Sequence, residues 1–537
     1  MSNKVNSSSG QQTLTLQQAL DFALKHHTAG ELGQAERIYN QILQADPNQP
    51  QALHLLGVIA HQGGDNEKAV GLIAKALKIQ PDYAEAHNNH GSTLKELDNL
   101  DGAISSYQRA LEINPDFAEV HYNMGLAFRG LGKLEDAVDC FQHAIALNPG
   151  YIEAFNNLGV TFQDLGRVEE AIASCKKAIE LSPEHFGAHS NLGNALQQIG
   201  NVRDAVICYQ KAITINPDNA EAHTNLGVVR HENGLLDEAV IHYRTALAIA
   251  PDNADIHMNI GSALSDLGSI EEGISHCRKA LEIKPGFVDA HSNLLLTEQY
   301  RPNQNLETLY KLHCEWDECH GRTFYKTWPN HMNNRSPDRI LRVGFVSPKL
   351  GRHPVGFFVV GMFENWSEEN IKIYVYSDHP GDDLTERIKS ATDVWHNVRG
   401  ISDEDLAKRI LDDQIDILID LSGHSAQNRL LMFARKPSPL QVSWGDYSAT
   451  TGLSAIDYLI CDKYSVRKNE EKYFTEKIIR MPDGWLCYDP PKHAPKVGPL
   501  PFERNGHMTF GSFSNPVKLN DSVISVWSSI LAEVPNS

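Results

Sequence analysis

Three loops carry side chains able to do chemistry: His353 in "SPKLGRHPVG", His424 and Asn428 in "LSGHSAQNR", and Lys518 in "GSFSNPVKLNDSV". Each loop follows a short run that reads as a strand, and in open α/β sheets ligands sit just past the carboxyl ends of the strands. An imidazole titrates near neutrality and is suited to handling a proton, whereas a lysine supplies a fixed cation. A further loop, "GDYSATTG", follows the run "LQVSW". There is no G-x-G-x-x-G or Walker A sequence, which disfavours dinucleotide and P-loop chemistry.

The elements that must hold these loops begin at Ile340. "ILRVGFVSP", "IKIYVYSD", "DILIDLSG", "LQVSWGD", "DYLICD" and "KIIRMP" are strand-like, and "GFFVVGMFENW", "DLTERIKSATDVW", "DEDLAKRILDDQ" and "AQNRLLMFARK" between them are helix-like. Such alternation predicts a mostly parallel sheet with helices on both faces. At the end of the chain, residues 511–537 read as one more strand, a loop carrying Lys518, and a helix.

The first half of the chain obeys a different rule. Pro47, Pro81, Pro115, Pro149, Pro183, Pro217, Pro251 and Pro285 stand 34 residues apart, and Gly57 to Gly261 and Ala35 to Ala239 keep the same period. The small residues let two helices approach closely, and the proline stops the second helix of each unit. About eight stacked helix pairs are predicted, forming a right-handed superhelix with a long concave groove.

Asn89, Asn123, Asn157, Asn191, Asn225, Asn259 and Asn293 recur on the first helix of successive repeats. One amide per repeat, with two donors and an acceptor, suits capture of an extended peptide by its main chain. The other reading is an amide that satisfies polar groups between helices. His87, His121, His189, His223, His257 and His291 share the period and read as packing residues. "HCEWDECH" at 313–320 looks like a zinc site, but its spacing on a helix spreads the ligands around the barrel.

With 48 Lys+Arg against 68 Asp+Glu, the net charge of −20 argues against non-specific nucleic-acid binding and against anionic membrane surfaces. No apolar run reaches the length of a membrane span, and the first residues lack the apolar core of a secretory signal, so a cytoplasmic protein is expected. The eight cysteines are scattered and fit buried thiols rather than a disulfide frame.

The repeat array joined to "LRVGFVSPKLGRHPVG", "DILIDLSGHSAQNRLLMFARKPSPLQVSW" and "YSATTGLSAIDYLICD" resembles the O-GlcNAc transferase family, including its SPINDLY branch. The resemblance implies a tetratricopeptide (TPR) α-solenoid followed by the first Rossmann-like α/β lobe of a GT-B glycosyltransferase, with the second lobe only begun. It places His353 near the sugar and the acceptor hydroxyl, as a base or an orienter. It places Lys518 on the donor diphosphate, with Asn515 beside it, and His424 on the cleft wall. It implies a metal-independent reaction without a cofactor, a nucleotide-sugar donor such as UDP-GlcNAc, and protein acceptors held in the repeat groove. "WGDYSATTG" departs from the family pattern by placing Gly445-Asp446 and Ser448-Ala449 in a loop that is otherwise Gly- and Pro-rich, and Asp446 adds a charge near the acceptor region.

The expected organisation is an N-terminal tail (1–14), the solenoid (15–298), a linker (299–339), the first catalytic lobe (340–500) and the start of a donor-binding lobe (501–537). Three functions compete: a protein O-GlcNAc transferase, of which this chain is a partial copy; a GDP-fucose-using O-fucosyltransferase; and a TPR peptide-binding adaptor with a vestigial lobe.

Overall fold

The 34-residue period becomes pairs of packed helices, from Leu16–Thr28 with Leu32–Ala45 onward. A computed structural model describes residues 4–6, 13–336, 338–366, 370–488, 494–534 and 537. It divides into two compact units, Met1–Leu226 and Gly227–Ser537.

In the first unit, the turn inside each pair needs a left-handed residue, supplied by Gly30, Gly64, Gly132, Gly166 and Gly200, with Asp98 (φ 58°) at the same register. The second small glycine has a different reason. A Cβ on Gly193 would lie 2.6 Å from the Tyr209 ring, and one on Gly125 would lie 2.7 Å from the Phe141 ring, so the aromatic of the second helix is seated on the backbone of the first. The register histidines close the turns between repeats: His87, His121, His189 and His223 each place Nε2 2.9–3.2 Å from the carbonyl of the proline six residues earlier. In the N-terminal tail, Lys4–Asn6 pairs antiparallel with Thr13–Thr15.

The second unit carries the last helices of the array, α1 (Ala254–Asp266), α2 (Ile270–Ile283) and α3 (Val288–Gln299), then α4 (Leu306–Trp316). Within the stretch read as a linker, three side chains are anchored to the rest of the unit. A π-helical turn (Asp317–Gly321) and a 3₁₀ turn (Arg322–Thr327) follow α4. Trp316 is fully buried, Trp328 Nε1 donates to the Ala434 carbonyl (2.9 Å), and Asn333 Nδ2 donates to Asp416 (2.7 Å).

The sheet is built from β1 (Leu341–Ser347), β2 (Ile371–Ser377), β3 (Val394–Asn397), β4 (Ile417–Asp420), β5 (Leu440–Ser443), β6 (Tyr458–Cys461) and β7 (Lys477–Arg480). All pairings are parallel in the spatial order β3-β2-β1-β4-β5-β6-β7. The helices are α5 (Pro354–Glu364), α6 (Asp383–Ser390), α7 (Asp403–Asp412) and α8 (Leu430–Ala434). Alternate residues of β1 serve opposite faces: Phe345 packs with Val359 and Phe363 of α5, while Val346 joins a core with Leu406 and Ile410 of α7, Phe433 of α8 and Trp316 of α4. Both faces are therefore covered, as a parallel sheet requires. The register aligns Ser347 with Ser377, Val346 with Asp420, and Asp420 with Ser443, which brings the carboxyl ends together.

Two expectations need correction. "DLTERIKSATDVW" is not one helix: α6 ends at Ser390 and β3 begins at Val394, because Asp393 exchanges backbone and side-chain hydrogen bonds with Ile373 of β2. The strand expected near 511 does not form. Among the described residues no strand lies beside it, and an isolated strand leaves its N–H and C=O groups unpaired. The expected helix does form as Asp521–Glu533, N-capped by Asn520, with Trp527 and Ile530 exposed. Among the described residues, no helix is long and apolar enough to cross a membrane.

Candidate active site

β1 ends at Ser347, whose Oγ accepts the Lys349 N–H (3.0 Å) and starts a tight loop. Two glycines make the loop possible. A Cβ on Gly351 would lie 2.3 Å from the His379 ring, and one on Gly356 would lie 2.1 Å from the Gly351 carbonyl oxygen. The loop delivers His353 as the N-cap of α5, in extended conformation, with Nδ1 accepting the Val355 N–H at 3.2 Å. His353 is half-buried, and burial, then Lys349 and His379, push its pKa below the usual value, while Asp446 pulls the other way.

The charges beside it come from two other loops. Lys349 forms an ion pair with Asp446, which follows β5. His379, just past β2, bonds through Nδ1 to the Gly381 N–H and to Thr385 Oγ1, both at 3.0 Å. Asp382 caps α6 through the Thr385 N–H (2.8 Å) and also accepts the Arg352 N–H (2.6 Å), tying the His353 loop to α6. Sequence reading missed Lys349 and His379 as partners of His353. The available signal was that both also stand just past strand ends.

His424 is not on the cleft wall. It is fully buried, with Nδ1 3.3 Å from Ser292 Oγ of α3 and Nε2 2.8 Å from the Thr451 carbonyl oxygen. Both ring nitrogens are engaged, so it acts as a strut between α3 and the loop after β5 and has no atom left for a donor. Asn428 Oδ1 accepts the Leu430 N–H (3.2 Å) and starts α8. Asp420 is also buried. It accepts the Ser422 and Gly423 N–H groups at 3.0 and 2.9 Å, and burial raises its pKa to about 6.

Lys518 and Asn515 lie elsewhere. Asn515 accepts the Val517 N–H (3.1 Å), and Val517 is buried against Ile270, Ile274 and Cys277 of α2 and Leu294 of α3. Lys518 is exposed on that turn, and no described contact joins it or Asn515 to His353.

The amides of the ladder reach between repeats. Asn89 meets His54 Nε2 (2.8 Å), Asn123 donates to Asn88 (3.0 Å), Asn157 to the Tyr122 hydroxyl (3.1 Å), Asn191 to Asn156 (2.9 Å) and Asn225 to Asn194 (2.9 Å). Each partner belongs to the preceding repeat. Asn259 lies in α1 and Asn293 in α3, where the Asn293 carbonyl accepts from Thr297 Oγ1 (2.7 Å).

"HCEWDECH" supplies a buried histidine cluster. His313 Nε2 is 2.6 Å from the Tyr447 hydroxyl, and His320 Nε2 is 3.0 Å from His291 Nδ1. Among the described residues, no group of His, Cys, Asp or Glu side chains could hold a metal ion. Burial lowers the pKa of both His291 and His313 to about 4 and that of His424 well below the usual value.

These depressed values make the joint acid-sensitive. A histidine kept neutral in the folded state stabilises it above its unfolded pKa of 6.5, and that contribution is lost as pH falls toward about 4. At pH 5 the loss is about 2 kcal/mol for His291 or His313. Asp420 runs the opposite way, because its raised pKa favours the folded state as pH falls from about 6. Urea unfolding at pH 7 and pH 5 is expected to show a net loss at pH 5, and His313→Gln is expected to remove part of it. An equal midpoint at both pH values would contradict the assignment of neutral buried histidines.

Beyond the geometry, the chain has clear relatives. Residues 318–496 match the profile of glycosyl transferase family 41. Tetratricopeptide profiles match residues 26–89, 91–132, 118–151, 152–185, 190–254 and 254–287. The chain therefore carries a tetratricopeptide array followed by a region that matches family 41 glycosyltransferases.

It is more particularly a homologue of the SPINDLY and O-GlcNAc-transferase-type enzymes. The protein named probable UDP-N-acetylglucosamine–peptide N-acetylglucosaminyltransferase SPINDLY from Solanum lycopersicum is 35% identical over 253 residues, 46% of this chain and 27% of that protein. The Arabidopsis thaliana protein of the same description named SEC is 30% identical over 210 residues, 37% of this chain and 21% of that protein. The solved structure of a mutant Thermobaculum terrenum O-GlcNAc transferase is 32% identical with a TM-score of 0.61, covering 65% of this chain and 66% of that one. The chain spans about a quarter of the length of the curated relatives it matches.

Proposed function

We infer that this chain is the repeat array and acceptor-side lobe of a cytoplasmic enzyme that moves N-acetylglucosamine from UDP-GlcNAc to Ser or Thr hydroxyls of proteins held by the repeats. The observation that carries this reading is His353, at the mouth of the parallel sheet inside the family 41 domain. Its Nδ1 accepts the Val355 N–H, so in the neutral ring the proton sits on Nε2. His353 then serves as a hydrogen-bond donor that orients the acceptor hydroxyl or the sugar, and a base must be sought elsewhere. The resemblance supports Lys518, with Asn515 beside it, as the cation for the departing diphosphate, a role that requires their turn to face the His353 site and that a lysine can fill without a metal.

The test is transfer of labelled sugar to Ser/Thr peptides by the purified full-length protein, supplied with UDP-GlcNAc or GDP-fucose. Transfer from UDP-GlcNAc is expected. Transfer from GDP-fucose alone would move the assignment to protein O-fucosylation, and peptide capture without transfer from either donor would leave an adaptor.

A further inference from the structure

Tyr447 touches both the array's last helices and the loop that carries Asp446. Its side chain is buried, and its hydroxyl lies 2.6 Å from His313 Nε2. His313 Nδ1 donates to the Leu309 carbonyl (2.7 Å), so Nε2 can only accept and the Tyr447 hydroxyl is the donor. On the lobe side, Gly423 has φ 52°, and a Cβ there would lie 2.3 Å from Tyr447 Cβ, so the base of the ring has one seat. Asp446 is the residue before Tyr447, turned by Gly445 at φ 115°, and it grips Lys349 across the mouth of the sheet.

We propose that Tyr447 and His313 are positioning residues: the bond between them fixes Asp446, and through it Lys349, beside His353, so that the end of the repeat array sets the geometry of the candidate active site. This rests on His353 being the imidazole of that site. The groups facing His353 are Lys349 and His379 on the cationic side and Asp446 on the anionic side. Nearby, Arg352 is taken up by Asp383, and Asp382 is held by the Arg352 and Thr385 N–H groups. The charge balance at His353 therefore depends on where the Asp446–Lys349 pair sits.

The test follows the titration of His353 by NMR on the full chain with ¹³C-labelled histidine, the resonance being assigned with His353→Gln. Asp446→Asn removes the carboxylate and leaves Lys349 unopposed, so the His353 midpoint is expected to fall by about 1 pH unit. Lys349→Met is expected to raise it. Tyr447→Phe keeps the ring and deletes only the hydroxyl, and it is expected to shift His353 in the same direction as Asp446→Asn. His313→Gln repeats the test from the other side of the bond. An Asp446→Asn midpoint equal to wild type would overturn the proposal. So would a shift in Asp446→Asn with no change in Tyr447→Phe and His313→Gln. Sugar transfer by His353→Ala judges the functional reading separately, because the titration requires no turnover.

Discussion

His353→Ala is expected to lower kcat/KM for sugar transfer by about 10²- to 10³-fold while leaving the unfolding midpoint within about 1 kcal/mol of wild type. The two readouts separate because the proposed function gives His353 two jobs. As an N-cap it satisfies one backbone N–H, that of Val355, a local contribution at the surface of the lobe. As a site residue it offers Nε2–H in a half-buried position, where hydrogen bonds to reacting oxygens strengthen. Its depressed pKa fixes the sign of the pH dependence. The neutral ring is the working form, so wild-type kcat/KM is expected to be flat through neutrality and to fall on the acid side, below the usual histidine range. A profile that instead rises toward acid would mean the imidazolium is the active species. Unchanged transfer in His353→Ala would remove His353 from the mechanism.

Trp316→Ala is expected to cost about 3–5 kcal/mol of the second unit's stability, read as a lower urea midpoint. Trp316 has no exposed surface and sits in one core with Leu295 of α3, Leu430 and Phe433 of α8, and Leu453 and Ile456 of the loop after β5. Its ring also meets the edge of His424 (5.0 Å between centroids) and of His320 (5.3 Å). Removing it opens a cavity walled by three separate segments that cannot all move inward. Trp328, 37% exposed, provides the comparison, and Trp328→Ala is expected to cost much less. Similar small losses for both would mean that α4 is a loose attachment.

What could be read from residues alone depended on how far apart the partners lie. The repeats were legible because their determinants, such as Gly193 under Tyr209, recur at one spacing within single helix pairs. The other strands of the sheet were legible from Ile/Val runs. The four-residue β3 was not, since it is defined by pairing with β2. His353 stood out because its position past β1 is local information. The Lys349–Asp446 pair did not, because 97 residues separate its members and only the closed sheet brings them together. His424 had the right type and place in the chain, but its burial comes from α3, 132 residues upstream at Ser292. The "HCEWDECH" stretch was legible as part of a helix, yet what its histidines meet was invisible until Tyr447 and His291 were seen against it.

The burial of Trp316, His313 and His424 also bears on how such a protein can be taken apart. The change in composition near Ile340 marks where the chemistry of the sequence shifts, but a cut there would strip the lobe of α3 and α4 and leave the seats of Trp316 and Tyr447 open to water. The last repeats are therefore part of the lobe's own foundation. Grafting a different repeat array onto this lobe has to be done upstream of α3, and the helices that meet His424 must travel with the lobe.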